Sequence, residues 1–94
     1  MYCVYILYSE KLDRFYTGYT ANLSGRLEFH SNAAIRKYTY RANDWILFYK
    51  ISCKSKTQAL KIERHIKLMK SSVYINNLLK YPEMTVRLLT KYDV

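Results

Sequence analysis

The run Tyr2-Cys3-Val4-Tyr5-Ile6-Leu7-Tyr8 is an unbroken stretch of tyrosines and aliphatics, a composition that favours a strand over a helix. Period-two alternation puts Tyr2, Val4, Ile6 and Tyr8 on one face and Cys3, Tyr5 and Leu7 on the other. Neither face is polar, so a layer has to cover each side of this strand. In a chain of 94 residues with two glycines and one proline, that means a small sheet covered by helices in one compact domain. A domain of this length buries roughly 60–70 % of the surface its unfolded chain exposes, which supports one modest core and no deep substrate cavity.

The polar break Ser9 to Arg14 reads as a turn, and Phe15-Tyr16-Thr17-Gly18-Tyr19-Thr20 as a second strand, so the pair is a hairpin with Tyr5 and Tyr16 on neighbouring strands. Asn22 or Thr20 can cap the helix that follows. Leu23, Leu27 and Phe29 face inward there, while Arg26 and His30, four residues apart, share another stripe. Ser31 to Asp44 reads as a long basic loop, with Arg36, Lys37 and Arg41 among Tyr38, Thr39 and Tyr40. Trp45 to Ile51 is a third strand whose continuous bulk points to a central position or to cover on both faces. Ser55 with Gln58 three residues on forms a capping box that opens a helix to about Met69, with Ala59, Ile62, Ile66 and Met69 as its apolar stripe. Ser71-Ser72 can cap a further helix over 73–80, with Val73, Ile75, Leu78 and Leu79 available for burial, and Pro82 ends it. From Met84 to Val94, with Val86, Leu88 and Leu89 apolar, strand and helix both stay open. The order β-β-α-β-α-α predicts an α/β (α+β) fold, a small three-stranded, mainly antiparallel sheet flanked by helices. Only the hairpin sets a strand direction, because the third strand follows a helix.

Sixteen Lys and Arg against seven Asp and Glu give a net charge of +9, which points to a polyanionic partner. The charge is concentrated, since residues 54–70 carry Lys54, Lys56, Lys61, Arg64, Lys67 and Lys70 with the single acid Glu63. Such a helix is either an ordinary solvated face or a footprint for phosphates, and the tyrosines interleaved with Arg36, Lys37 and Arg41 suit stacking on nucleic acid. Glu63 sits at the edge of the apolar stripe, where it can pair with Lys67 at i,i+4 or hold a metal ion. Arg26 and His30 taken singly are ordinary helix residues. Cys3 and Cys53 lie in apolar segments without a CxxC pair or a nearby histidine cluster, so they read as buried thiols. The apolar start lacks a basic leader and no stretch approaches the about 20 apolar residues of a membrane span, so a soluble, cytoplasmic protein is expected.

The order and spacing of several groups say more than any one of them. Cys3-Val4-Tyr5, Tyr16-Thr17-Gly18 eleven residues after Tyr5, Asn22-Leu23 leading into Arg26 and His30, and Glu63 on a later helix together resemble the GIY-YIG nuclease family, and in particular its small stand-alone members. The resemblance runs from about Tyr2 to Leu79 and takes in Lys37-Tyr38-Thr39 and Glu63-Arg64-His65-Ile66-Lys67. It divides the chain into a nuclease-like domain over 1–80 and a tail, 81–94, packed on or extending it. Cys3 stands where the family name has Gly and Thr17 where it has Ile, while both tyrosines and Gly18 remain.

The resemblance implies metal-dependent hydrolysis of phosphodiesters by a single Mg²⁺ or Mn²⁺ ion, for which Glu63 would be the protein carboxylate. Arg26 would neutralise the non-bridging oxygens. Tyr5 is the first choice of general base, with Tyr16 orienting water or phosphate; a phenol of pKa ~10 has to be lowered to serve at neutral pH. His30 would contact phosphate or relay a proton from Tyr16, and Gly18 would keep the strand open where backbone or substrate comes close. Asn76 and Asn77 are alternative counterparts of an asparagine that many members carry. Lys37, Arg41, Lys61, Arg64, Lys67 and Lys70 would bind nucleic acid. DNA is favoured, RNA is open, and selection by structure is expected over sequence reading, since no helix-turn-helix, zinc finger or long basic arm is evident. No membrane partner is expected, and a recruiting protein is left open. The alternatives are a non-catalytic nucleic-acid-binding module on the same scaffold and a basic protein-interaction domain.

Overall fold

The computed structural model describes residues 1–32 and 44–94, and gives residues 28–32 by their backbone alone. Its elements are β1 (Tyr2–Ser9), β2 (Arg14–Thr20), α1 (Leu23–Asn32), β3 (Ile46–Cys53), α2 (Lys56–Met69), α3 (Ser72–Lys80) and α4 (Pro82–Lys91). The sheet has the order β2-β1-β3 with both pairings antiparallel. The two-sided strand is therefore the middle one. On one face Val4 and Ile6 pack with Ile51 and Cys53 against Ala59, Ile62 and Ile66 of α2, Ile75 and Leu78 of α3, and Leu88 of α4. On the other, Tyr5 and Leu7 pack with Trp45 against Leu23 and Leu27 of α1. The result is three layers, with α1 and the α2–α4 group on opposite faces of the sheet.

β3 is an edge strand, so of the two readings of its bulk, a central position or cover on both faces, the central position is excluded. Ile46 and Leu47 are exposed, and Phe48 and Tyr49 are only half-buried. Aromatic bulk marks a strand that leans on a core, and it does so equally at an edge. The apolar stripe of α2 holds at Ala59, Ile62 and Ile66 but ends a turn early, with Met69 44 % exposed and Gln58 buried beside Ala59. The helix stops at Met69, and Lys70 turns the chain with left-handed backbone angles (φ 47°, ψ 43°). Gln58 is buried as a polar tie. Its N–H donates to Ser55 Oγ (3.1 Å), its Oε1 accepts from the Lys54 N–H (2.8 Å), and its Nε2 donates to the Leu89 carbonyl (3.2 Å). The capping box thus forms with its return bond one residue early, at Lys54.

Ser71 caps α3 by accepting from the Tyr74 N–H (3.1 Å). Ile75 and Leu78, three apart, are its buried pair, which leaves Val73 and Leu79 on the outer side and exposed. Pro82 takes the first turn of α4, where its missing N–H costs nothing. The tail is therefore a helix, and Leu88 seats it in the core. Polar contacts hold it further: the hydroxyls of Tyr49 and Thr85 lie 2.6 Å apart, His65 Nδ1 and the Tyr92 hydroxyl 2.9 Å apart, and Lys54 pairs with Asp93. Burial, with Lys91 nearby, holds the His65 imidazole below the usual histidine range. Both cysteines are free, Cys53 buried as expected and Cys3 only half-buried. Among the described residues no helix is long and apolar enough to cross a membrane.

Candidate active site

Gly18 lies directly opposite Tyr5 in the β1–β2 register. A Cβ built on Gly18 would fall 2.5 Å from the Tyr5 hydroxyl oxygen and 2.7 Å from its Cζ, so the tyrosine ring lies across the glycine. The glycine does keep the strand open, but the group that fills the opening is Tyr5 itself. Tyr5 is 1 % exposed. Tyr16, on the same face of β2, has its ring centroid 6.3 Å from that of Tyr5 and meets Trp45 edge-on at 6.4 Å.

Arg26 is set by the start of α1. Asn22 is the cap, accepting from the Gly25 N–H (3.1 Å), and its own N–H donates to Thr20 Oγ1 (3.0 Å), so both capping candidates act together. Arg26 and Gly25 line a concavity of about 400 Å³ with Thr20 and Asn22. Glu63 comes from α2, one step from Ile62 in the core stripe; its side chain is 14 % exposed and accepts an ion pair from Lys67 at 3.3 Å. Both charges are felt at Tyr5. Burial is the main reason that the Tyr5 phenol stands well above the ordinary tyrosine range, the Tyr16 and Glu63 side chains push it further up, and the Arg26 guanidinium pulls it down. Arg26 of α1 and Glu63 of α2 thus each act electrostatically on Tyr5, beside which Tyr16 stands on the neighbouring strand.

Of the remaining residues singled out in the sequence, Lys37 and Arg41 lie outside the described residues, as does the side chain of His30. Lys61 and Arg64 are exposed on α2. Lys67 and Lys70 line a cleft of about 610 Å³ between β2 and the α2–α3 junction, together with Tyr16. Asn76 is exposed and donates to the Ser72 carbonyl (2.8 Å), and neither Asn76 nor Asn77 lines that cleft. Three residues escaped the sequence reading. Arg14, taken as the end of a turn, lines the same cleft. Ser9, fully buried, donates to Asp44 Oδ1 (2.6 Å) and accepts from the Leu12 N–H (3.1 Å), while the Lys11 N–H donates to Asp44 Oδ2 (2.9 Å). The serine and the Lys11 amide hold the Asp44 carboxyl below the usual carboxylate range. This clamp ties the β1–β2 turn to the residue before Trp45, the wall of Tyr16. A contact spanning 35 residues leaves no local signal.

Among the described residues no group of three or more His, Cys, Asp or Glu side chains could hold a metal ion. One carboxylate is nonetheless a fitting donor set for a magnesium-like cation, which takes one or two protein carboxylates and fills its other positions with water and substrate phosphate. Glu63 meets that description.

A family model described as the GIY-YIG catalytic domain matches residues 1–77, most of the chain. The chain belongs to the GIY-YIG family. Its three-stranded antiparallel sheet and helices agree with the GIY-YIG fold, and the membership supports a nuclease acting on nucleic acid. No curated protein and no solved structure matches the chain. The GIY-YIG motif positions fall on β1 (Cys3-Val4-Tyr5) and β2 (Tyr16-Thr17-Gly18), so the two letters that depart from the family name sit in the strands that carry the tyrosine pair.

Proposed function

We propose that this protein is a metal-dependent endonuclease that hydrolyses phosphodiester bonds in DNA, choosing its substrate by structure more than by sequence. The observation that supports it is the Tyr5–Tyr16 pair across the two motif strands, with the charges of Arg26 and Glu63 both acting on Tyr5. Glu63 is the residue to hold Mg²⁺ or Mn²⁺. When bound, such a cation supplies positive charge at the scissile phosphate and favours the ionised form of acids near it. Arg26 engages the non-bridging oxygens through its planar fork and neutralises charge that builds up there. Tyr16, half-buried and lining the cleft, orients water or phosphate. Tyr5 is the base of this reading, and Arg26 is the protein group that pulls its pKa in the required direction. His30, one helical turn after Arg26 in α1, takes a phosphate contact or a proton from Tyr16. Lys37, Arg41, Lys61, Arg64, Lys67 and Lys70 supply the sequence-independent attraction to the backbone, and the cytoplasm is the proposed compartment.

One observation favours a second reading, a binding module that does not turn over. Tyr5 is sealed by Gly18 and held neutral by burial, opposite to what a base needs. One experiment separates the two: labelled duplex, nicked, flapped and single-stranded DNA and RNA are incubated with Mg²⁺, Mn²⁺ or EDTA, using the parent and Glu63→Ala. The nuclease reading expects metal-dependent product from the parent and none from the variant, with binding retained. Product from Glu63→Ala at the parental rate overturns the metal assignment, and salt-sensitive binding without product from the parent selects the binding module.

A further inference from the structure

Three helices meet at a pocket of about 210 Å³, lined by His65 of α2, Tyr74 of α3, and Met84, Arg87, Leu88 and Lys91 of α4. His65 lies between Glu63 and Lys67 in the sequence, yet two residues of helix turn through about 200°. The pocket is therefore on the flank of α2 opposite the Glu63–Lys67 pair, away from the candidate active site. Four of the six described residues that line it lie beyond the stretch matched by the family model.

The polar groups of this pocket are donors in want of an acceptor. No carboxylate lines it, and among the described residues neither Arg87 nor Lys91 makes an ion pair, although Glu83 stands four residues before Arg87 at pairing distance along the helix. Arg87 and Lys91, themselves four residues apart, repel each other across one turn of α4. Tyr74 is half-buried, and its hydroxyl makes no hydrogen bond to any described residue. Burial raises the Tyr74 phenol above the ordinary tyrosine range, and the Arg87 guanidinium partly offsets that rise, so the two side chains act on each other. His65 Nδ1 is taken by the Tyr92 hydroxyl (2.9 Å), which leaves Nε2 for a ligand. The imidazole stands against the rings of Tyr74 and Tyr92, with centroids 6.0 and 5.7 Å apart, so contacts on both sides fix it. Met84 and the buried Leu88 supply an apolar wall, and hydrogen bonds to a charge are stronger where water is kept from one side. A ligand that offers acceptors and negative charge completes this set.

We propose that this pocket binds one phosphate of the nucleic-acid backbone, with the Arg87 fork, Lys91 and the Tyr74 hydroxyl on its oxygens, as a second contact away from the scissile bond. The inference rests on the nucleic-acid reading that the nuclease and the binding module share, and it does not need turnover. The pocket is smaller than the roughly 300–1,000 Å³ of sites for drug-sized ligands, which suits a single phosphate group. The guanidinium plane is the donor geometry that matches phosphate with two bonds at once. A helix is about 10–12 Å across with its side chains, a distance covered by about three nucleotides along one strand of a duplex, so one molecule can touch both flanks of α2.

The test uses the full chain in EDTA. NMR of the His65 and Tyr74 side chains is first followed with inorganic phosphate and with chloride at equal ionic strength. Saturating phosphate should raise the titration midpoint of His65 by about one pH unit, because an anion beside it favours the imidazolium, and chloride should not. Tyr74→Phe keeps the ring and removes a hydroxyl that no described residue uses, so it should melt with the parent while binding phosphate about 2–10-fold more weakly. A diffuse cationic surface would not register that loss. Fluorescence anisotropy on a labelled duplex between 50 and 200 mM salt should then show the slope of log K against log salt reduced by about 0.9 in Arg87→Gln. No movement of His65 beyond that in chloride, or parental phosphate affinity in Tyr74→Phe, overturns the pocket. Phosphate binding with a parental DNA slope in Arg87→Gln assigns the pocket to a free phosphate or phosphomonoester, which overturns the backbone contact and spares the nuclease. A reduced slope in a protein that does not cut supports the pocket and selects the binding module. A parent that binds no DNA overturns the nucleic-acid reading and this inference with it.

Discussion

Gly18→Ala is the sharpest probe of how the tyrosine pair is built. Gly18 does not have positive φ, so alanine meets no backbone objection there, and its smaller unfolded-state entropy should stabilise by about 0.4–1 kcal/mol. The side chain decides the sign. Its Cβ would sit 2.5 Å from the Tyr5 hydroxyl oxygen and 2.7 Å from Cζ, well inside contact distance. Tyr5 cannot swing clear, since it is 1 % exposed and packed with Leu7 and Trp45 between the sheet and α1. Forcing extra bulk into such a site costs about 1–3 kcal/mol, and contacts this short against a ring that cannot move belong in the upper half of that range, so the net destabilisation is about 1–2.6 kcal/mol once the entropic gain is set against it. For a domain of this size that lowers Tm by about 4–21 °C. Thermal unfolding followed by circular dichroism measures it, beside Tyr5→Phe and the double variant. Removing the hydroxyl takes away the shorter of the two contacts and leaves Cζ, so the double variant should recover part of the loss, as a coupling of at least 0.5 kcal/mol. A Gly18→Ala protein that melts at or above the parental temperature refutes the packing of Tyr5 across the glycine, and with it the reason given for the glycine of the second motif.

Asp44→Asn should lower stability at neutral pH by loosening the clamp on Ser9 and Lys11. Because the folded carboxyl titrates below its unfolded value, this contribution is present above about pH 3.9 and fades as pH falls through the lowered folded pKa, so the Tm difference between variant and parent should shrink on acidification. A difference that stays constant from pH 7 to pH 2.5 excludes the carboxylate as its source. Leu88→Ala removes a 4 % exposed side chain from the main core and should destabilise by about 2–5 kcal/mol. That loss, read by urea unfolding, would show that α4, outside the residues matched by the family model, belongs to the same cooperative unit; a change below 0.5 kcal/mol would separate it.

Legibility in the sequence followed the range of each interaction. The two-faced β1 was visible from Val4 and Ile6 against Tyr5 and Leu7, because alternation is local, and the same holds for the caps at Asn22, Ser55 and Ser71. What escaped depended on contacts between distant segments. Nothing near Trp45 shows that β3 ends up at an edge, since that is decided by β1 having two partners. Met69 completes an apolar stripe on paper, but the stripe is used only as far as the sheet and α3 reach, and the burial moves back to Gln58, whose amide finds partners on two sides. The tyrosines, Arg26 and Glu63 are legible through the resemblance of their order and spacing to the GIY-YIG family, whereas Arg14 and the Ser9–Asp44 clamp carry no pattern of their own.

Gly18 also accounts for the least expected property of the site. The missing side chain that lets the Tyr5 ring lie down on β2 is the same feature that removes the phenol from water, and burial is the largest cause of its raised pKa. A close fit and a reactive phenol therefore pull against each other in the substrate-free chain. The protein's own charges do not resolve the conflict, because Arg26 lowers the Tyr5 pKa while Glu63 and Tyr16 raise it. Nor is Glu63 a stray charge, since a carboxylate only 14 % exposed is kept by a partner, and Lys67 is that partner. Lys67 at the same time lines the cleft between β2 and the α2–α3 junction. An anion entering there competes with Glu63 for the same ammonium group. On this reading the charge balance around Tyr5 is a property of the complex, and catalysis in the nuclease reading, like its absence in the binding-module reading, turns on what substrate does to the Glu63–Lys67 pair.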